Sequence, residues 1–449
     1  MYGELLRKAL LLYLNARYGD KHWYRYYQEL KEIQWWSSDK IAELQLERLK
    51  ALLRHAYQNV PYYNRKFTEV GLYPDDIKTL DDLVKLPILT KKDIREHRAE
   101  LVAQNLPQDQ IIPSATGGST GEPLQFYTTE ESGNRGSAAA HLAYLWYGYE
   151  WGDKLAHLWG SPRDVSVMRS LPNKLHLRLL RSVYLDAFDM SESNMAEFAR
   201  KLSRLKPKII IAYASAAYLF ARYLKHHGVG SIKPETVVTQ AEKLFPEQRQ
   251  LIQGVFGCQV ADFYGSREVS AMAAECPEQT GYHIMSPNVI LEFIRDNQPI
   301  SLGEMGKIVV TDLHNYAMPF IRYENGDLGM PSDEKCPCGR GMPLMKGVVG
   351  RVTDILVIGD KFISSPSLTL LFKDLPIKQY QLVQETETEI TIKIVKGDEY
   401  CDKHTEQIRS LIQNYLGSNI NITIELVTAI LSSESGKYRF IISRVPLKF

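Results

Sequence analysis

The sequence predicts an α/β protein with a large N-terminal part followed by a small α+β one. Three observations carry this. From Pro107 onward, short apolar runs bounded by Pro, Gly or Asp, such as Lys208 to Tyr213 and Lys307 to Thr311, alternate with helix-like stretches, the pattern of strands packed between helices. The stretch from Asp327 to Arg351 is rich in Gly, Pro, Cys and charge and has little periodicity of either kind, so it reads as an irregular segment leading to a boundary. After it, strand-like runs at Glu389 to Val395 and Asn421 to Leu426 surround a helix-like segment from Lys403 to Leu416, which suits a compact unit of about one hundred residues.

In chain order, the amphipathic segment from Leu5 to Tyr18 comes first, and its apolar run is broken by Asn15 and Arg17 well short of a membrane span. It packs on the protein's own core or lies on a membrane surface. Neither a signal peptide nor a transmembrane helix is supported. Ile41, Leu44, Leu46, Leu49, Leu52 and Leu53 then recur at helical spacing between charges, giving a helical entry segment within residues 1–100. The large part is assigned to residues 1–350 and the small one to 351–449.

Composition narrows the function classes. The 449 residues exceed one ordinary hydrophobic core. Lys and Arg number 54 against 53 acids, so there is no electrostatic footprint for nucleic acid and any anionic ligand needs local donors. Five cysteines, an odd number in a long chain, argue against a disulfide framework and for a reducing, cytoplasmic setting.

The segment Ser114-Ala-Thr-Gly-Gly-Ser-Thr-Gly-Glu-Pro123 is the most informative. Small hydroxyl residues and glycines (Ser114, Thr116, Gly117, Gly118, Ser119, Thr120 and Gly121) let backbone N–H groups approach a polyphosphate closely. Alone, it reads equally as a flexible surface turn. It is not a P-loop of the Gly-x-x-x-x-Gly-Lys type, because Glu122 follows Gly121.

Taken with four later stretches of the chain, this segment resembles the phosphate-binding signature of the adenylate-forming superfamily, which includes acyl- and aryl-CoA ligases, luciferases and peptide-synthetase adenylation domains. The four arrive in that family's order: Asp262-Phe-Tyr-Gly-Ser-Arg-Glu268, Ile321-Arg-Tyr-Glu-Asn-Gly-Asp327, Gly350-Arg-Val-Thr-Asp354, and Ser435-Gly-Lys437 with Arg439. Gln240-Ala-Glu242, Glu275-Cys-Pro and Cys336-Pro-Cys-Gly-Arg340 are similar to the phenylacetate-CoA ligase branch with its CapK-like proteins. The resemblance runs from about His55 to Lys437. It implies the fold of that superfamily, a large multi-sheet N-terminal domain with a small mobile C-terminal lid.

It also implies roles. Glu268 would hold Mg2+, a hard cation that prefers carboxylate and phosphate oxygens. Tyr264, followed by Gly265, would lie against adenine; a lone Tyr is otherwise core packing. Asp327 would accept the ribose hydroxyls, although Asn-Gly-Asp taken alone is a turn. Arg351 would support the ribose or phosphates. Lys437, carried by the small domain, would reach the bridging oxygen region between carboxylate and α-phosphate and act as the catalytic lysine. Thr353 stands where relatives carry Asp or Lys as the hinge pivot, and Glu122 where many carry Lys. Trp159, Tyr213, Ser215 and Ala241 are placed in the acid pocket by their positions relative to the motifs.

Cys276 with His283, and Cys336 with Cys338, make two ligand pairs separated by about fifty residues, which suits a closed tetrahedral zinc site. Buried cysteines that serve as small hydrophobes are the alternative. Some members of the resembled branch carry such a knot, and with four protein ligands its role would be structural.

The activity implied is ATP-dependent activation of a small carboxylic acid as an acyl-adenylate and transfer to CoA. An adenylating amide or ester synthetase, passing the acyl group to an amine or sugar, is the second reading. A catalytically silent nucleotide-binding protein is the third, and the intact Glu268, Asp327 and Lys437 argue against it.

Overall fold

The structure is a computed structural model that describes residues 9–10, 12–13, 23–116, 124–159, 177–187, 190–351, 355–358, 361–364, 372, 375–417, 419–430 and 439–445. The greater part of the Leu5 to Tyr18 segment lies outside them.

Helices α1 (Trp23–Ile33), α2 (Ser38–Asn59), α3 (Pro61–Val70) and α4 (Lys91–Glu96) come first. Ser37 caps α2, its hydroxyl accepting from the Lys40 N–H at 3.3 Å, which satisfies one of the N–H groups a helix start leaves open. The predicted periodicity is real: Ile41, Leu49, Leu52 and Leu53 are buried along one face. Pro61 holds Val60 extended, so the chain breaks there and restarts as α3. Gln45, polar but buried on the same face, donates to the Val289 carbonyl at 2.9 Å and so ties α2 to the main sheet.

After the hairpin of β1 (Ile112–Ala115) and β2 (Gln125–Thr128) come α5 (Glu130–Trp146), β3 (Leu155–Trp159), β4 (Ser182–Asp186), α6 (Glu192–Leu205), β5 (Ile209–Tyr213), α7 (Ala214–His226), β6 (Thr236–Gln240) and α8 (Pro246–Phe256). Strands then dominate: β7 (Gln259–Ser266), β8 (Ser270–Glu275), β9 (Tyr282–Ile284), β10 (Val289–Arg295), β11 (Gln298–Pro299), β12 (Gly306–Asp312), β13 (Tyr323–Pro331) and β14 (Leu344–Arg351). Apart from the β1–β2 hairpin these join edge to edge as one twelve-stranded sheet, in the order β11-β10-β12-β13-β14-β9-β8-β7-β6-β5-β3-β4.

The two halves of this sheet differ in kind. From β4 through β3, β5 and β6 to β7 the strands are parallel, and β5 reads Ile-Ile-Ile-Ala-Tyr with every residue buried, as expected of a strand covered on both faces. Ile209 and Ile211 face one core, with α1 and α5, and Ile210 and Ala212 face the other, with α6, α7 and α8. From β7 to β11 every pairing is antiparallel.

Here one expectation is corrected. Asp327 to Arg351 reads as irregular in the sequence, but its two ends lie in β13 and β14, and only the middle, with Cys336 and Cys338, is loop. Two register shifts between these strands absorb the irregular pattern. Gly329 packs closely, since a Cβ there would stand 2.8 Å from the end of the Ile308 side chain and make it shift.

Beyond residue 351 lie the hairpin β15 (Ile355–Ile358) and β16 (Lys361–Ser364), then β17 (Ile377–Thr386), β18 (Glu389–Lys396), α9 (Asp402–Leu416), β19 (Asn421–Leu426) and β20 (Ile441–Ser443). The last four strands form a sheet in the order β19-β18-β17-β20. Ile390, Ile392 and Ile394 alternate inward against Ile408 and Ile412 of α9, so this part has a core of its own. Among the described residues no helix is long and apolar enough to cross a membrane.

Candidate active site

Parallel strands covered by helices bind ligands outside their carboxyl ends. Trp159, Tyr213 and Gln240 are the last residues of β3, β5 and β6, and the register sets Gln240 beside both Tyr213 and Phe263 of β7. The Trp159 and Tyr213 rings meet at 4.4 Å between centroids. Ala241, the next residue, takes φ +66°, a left-handed turn that only a constrained chain imposes on a residue with a Cβ. The turn brings Glu242 under α7, where its Oε2 accepts from the Ser215 N–H at 2.9 Å. Ser215 is therefore held by its backbone, and all four pocket residues named from sequence gather at this edge.

On the neighbouring strands a second group is locked together. The Tyr264 hydroxyl donates to Asp327 Oδ2 at 2.9 Å and accepts from Asn325 Nδ2 at 2.6 Å, while Asn325 Oδ1 accepts from the Asp327 N–H at 3.0 Å. Gly326, at φ +90°, supplies the bend that lets Asn325 reach across to Asp327. Glu268, on the tight turn from β7 to β8, accepts the Tyr323 hydroxyl at 3.0 Å through Oε1. At Gly265 a Cβ would stand 2.5 Å from the Ser270 carbonyl oxygen, so glycine is obligatory for the hairpin that carries Glu268. Arg351 is the cross-strand partner of Asp327. The sequence named Tyr264, Glu268 and Asp327 singly; it missed Asn325 and Tyr323, whose signal was their position inside the Ile321 to Asp327 motif. Arg322 of that motif is structural, fully buried and bonded to Glu292 at 3.1 Å and to the Val84 carbonyl at 3.1 Å.

Ser114 pairs with Phe126 in the β1–β2 hairpin. Thr116 closes the base of its loop, its N–H donating to the Leu124 carbonyl at 3.0 Å and its hydroxyl oxygen accepting from the Leu124 N–H at 2.9 Å. Gly117, Gly118, Ser119, Thr120, Gly121, Thr353 and Lys437 lie outside the described residues.

Behind the edge runs a buried polar layer. Arg249 Nη2 bonds both Glu275 oxygens at 2.9 and 2.8 Å, and Glu275 also accepts from the Asp262 N–H at 2.8 Å. Asp262 accepts from Tyr282 Oη at 2.7 Å and from Thr239 Oγ1 at 2.8 Å. Burial, helped by the nearby Glu275, pushes the Asp262 carboxyl up to about 6. Lys243 Nζ donates to the carbonyl of Val349, the extra residue where the β13–β14 register shifts.

The two cysteine pairs do converge. One ligand atom from each of Cys276, His283, Cys336 and Cys338 lies within 4.8 Å of all the others. Cys276 Sγ and Cys336 Sγ are 3.5 Å apart and Cys338 Sγ is 3.3 Å from His283 Nε2. A tetrahedral ion at about 2.3 Å from each sulfur sets edges of about 3.8 Å, so the cluster fits zinc. His283 Nδ1 lies 3.1 Å from the Met342 carbonyl; an N–H there leaves Nε2 free to face the thiols, as metal-binding imidazoles are commonly oriented.

Residues 358–444 match the family model of the CapK C-terminal domain. The chain is 30% identical to the phenylacetate-coenzyme A ligase of Escherichia coli strain K12 over 356 residues, 74% of this chain and 75% of that one. It is 25% identical to protein CapK of Staphylococcus aureus, with 97% and 95% of the two chains covered. Among solved structures, 2-hydroxyisobutyryl-CoA ligase in the postadenylation state superposes with a TM-score of 0.74 at 20% identity, covering 92% of this chain and 91% of that one. With both the motifs and the fold in place, the chain belongs to the phenylacetate-coenzyme A ligase family.

Proposed function

We propose that this chain uses ATP to activate a small carboxylic acid as its acyl-adenylate and then transfers the acyl group to coenzyme A. The observation that carries the reading is the hydrogen-bonded unit of Tyr264, Asn325 and Asp327, set beside Glu268 at the carboxyl edge of the parallel strands in a chain of this family.

A carboxylate is a poor acyl donor because its charge repels nucleophiles and oxide is a poor leaving group. Linking it to AMP removes both obstacles. The protein must then place the carboxylate in line with the α-phosphate and stabilise the charge that develops there. Asp327, fixed by Asn325 and Tyr264, accepts the ribose hydroxyls, and the Tyr264 ring packs against the base. In this reading the segment from Ser114 to Gly121 would give backbone N–H groups to the phosphates, and Arg351 would support the ribose or phosphates.

Glu268 is the residue that would hold Mg2+, since the Tyr323 hydroxyl orients its carboxylate and leaves lone pairs for a hard cation. Bound there with the triphosphate, the ion neutralises charge on the departing pyrophosphate. Cys276, His283, Cys336 and Cys338 would hold a structural zinc, because four protein donors leave no open position.

In this reading residues 1–350 form the adenylation domain and residues 351–449 a lid that turns about Thr353. A Thr can absorb the backbone rotation a hinge needs. None of the five cysteines is in a disulfide, which is compatible with the reducing, cytoplasmic setting of this reading.

Acid-dependent ATP–pyrophosphate exchange, followed by AMP release with and without CoA, tests this reading. Lys437→Ala should slow exchange on the order of a hundredfold or more, because a positioned ammonium stabilises the adenylation transition state, and should still consume supplied acyl-adenylate. AMP release that ignores CoA but accelerates with an amine or sugar would put the amide or ester synthetase in its place.

A further inference from the structure

In the row of residues at the carboxyl edge two positions are not aromatic: Asp186, beside Trp159, and Gln240. Trp159, Tyr213 and Phe263 end or line three of the strands, and Gln240 stands between Tyr213 and Phe263. Val238, two residues back on the same face, belongs to the core shared with α5, so the Gln240 side chain leaves the sheet towards that helix. There its Nε2 lies 2.7 Å from the hydroxyl of Tyr144.

This couple has hydrogen-bonding capacity to spare. With the amide as assigned, Tyr144 Oη accepts from Gln240, and neither the phenolic proton nor the amide oxygen has a partner among the described residues. With the amide turned over, the phenol donates to Gln240, and the amide N–H groups and a phenol lone pair remain. Either way one donor and one acceptor are left side by side. Tyr144 is only 7% exposed, so water is a poor substitute there, and burial pushes its pKa up to about 12, which keeps the proton on the phenol. Gln240 is half-buried and accessible from the edge.

We propose that the acid this enzyme activates carries a hydroxyl or amino group on its tail, bound by the Gln240 carboxamide and the Tyr144 hydroxyl, with the carbon skeleton against Trp159 and Phe263, whose ring lies 6.4 Å from that of Tyr144. This rests on the adenylation reading and narrows its substrate class. A plain alkyl or aryl tail that covered the couple would leave a donor and an acceptor without partners. A site built to hydrogen-bond a substituent discriminates strongly against analogues lacking it, whereas an apolar wall discriminates weakly between isosteres.

Matched pairs of acids that differ by one polar substituent test the proposal: butyrate with 3-hydroxybutyrate, phenylacetate with 4-hydroxyphenylacetate and with mandelate, and propionate with β-alanine. Pyrophosphate exchange should run about tenfold or more faster with the substituted member of at least one pair. Gln240→Leu should erase that preference. Tyr144→Phe, which keeps the ring and its packing, should reduce it. Equal or inverted preference in every pair, or a preference untouched in both variants, overturns the proposal.

Ligand-observed NMR of the same acids, with AMP present, separates this inference from the reading it rests on. Selective binding of the substituted member that is lost in Gln240→Leu, with no exchange from any acid, would sink adenylation and keep the polar pocket. Exchange with every acid but no selectivity in rate or binding would do the reverse.

Discussion

The proposed nucleotide edge and the cysteine–histidine cluster draw on the same strands, β7 to β9 with β13 and β14, yet they are held together in opposite ways. At the edge, Tyr264, Asn325 and Asp327 satisfy one another before any ligand arrives. In the cluster, three thiols and an imidazole crowd within 4.8 Å, and bonds to them come from the Glu278 backbone on Cys276, from Thr280 and the Cys338 backbone on Cys336, and from the Met342 carbonyl on His283. The edge is pre-organised without its ligand. The cluster makes chemical sense with an ion at its centre. Damage to the first should lower rate or affinity by degrees, and damage to the second should be felt by the fold.

The largest effect is therefore expected at the cluster. With zinc bound as proposed, Cys338→Ser should release it and lower stability by several kcal/mol, on the order expected when metal binding supplies folding free energy, with the surviving folded fraction still able to exchange pyrophosphate at low temperature. Elemental analysis and thermal midpoints measure both. Protein purified without chelator that holds no stoichiometric metal, together with a wild-type midpoint for Cys338→Ser, would erase the distinction between the two regions.

The layer between them sharpens the comparison through pH. The folded-state pKa of Asp262, pushed up to about 6 chiefly by burial, stands above the ordinary carboxylate value, so the folded protein keeps a proton that the unfolded chain gives up. Stability from this group is greatest below about pH 4 and falls as pH rises to about 6. The loss is on the order of 3 kcal/mol. Asp262→Asn cannot ionise and keeps an acceptor for Thr239, so the stability difference, variant minus wild type, should rise between about pH 4 and 6 and level off above. Comparing the two proteins cancels the pH dependence of metal binding to the thiols. A difference that is flat with pH would mean that the carboxyl titrates normally, and that this layer is better hydrated than its packing shows.

How far the sequence anticipates these regions depends on whether a property is local. The run Ile209 to Tyr213 and the alternation at Ile390, Ile392 and Ile394 are local patterns, and they became β5 and β18 as expected. The cysteine pairs were legible because their chemistry admits few uses. Between Asp327 and Arg351, by contrast, glycine and charge hid two strands, since β13 and β14 are stabilised by the ladder they join and not by their own propensity. Asn325 and Tyr144 were invisible for the same reason. Their partners lie 61 and 96 residues away in the chain, and only the assembled sheet brings them together.

The smallest effect comes from Asn325, and it tests whether the edge really fails by degrees. Asn325→Ala removes two hydrogen bonds, one to the Tyr264 hydroxyl and one from the Asp327 N–H. The bond from Tyr264 to Asp327 survives, so the carboxylate loses some of its orientation and keeps its position. Each neutral hydrogen bond contributes about 1 kcal/mol net. The KM for ATP should accordingly rise about five- to tenfold while kcat changes less, because ribose contacts are made in the ground state and the transition state alike. Stability should fall only slightly. Asn325→Asp should be worse than Asn325→Ala despite being closer in shape, since it sets a second carboxylate beside Asp327 and repels it. If Asn325→Ala instead lost activity a thousandfold, or failed to fold, the edge would be as cooperative as a metal centre, and the contrast between the two regions would have to be abandoned.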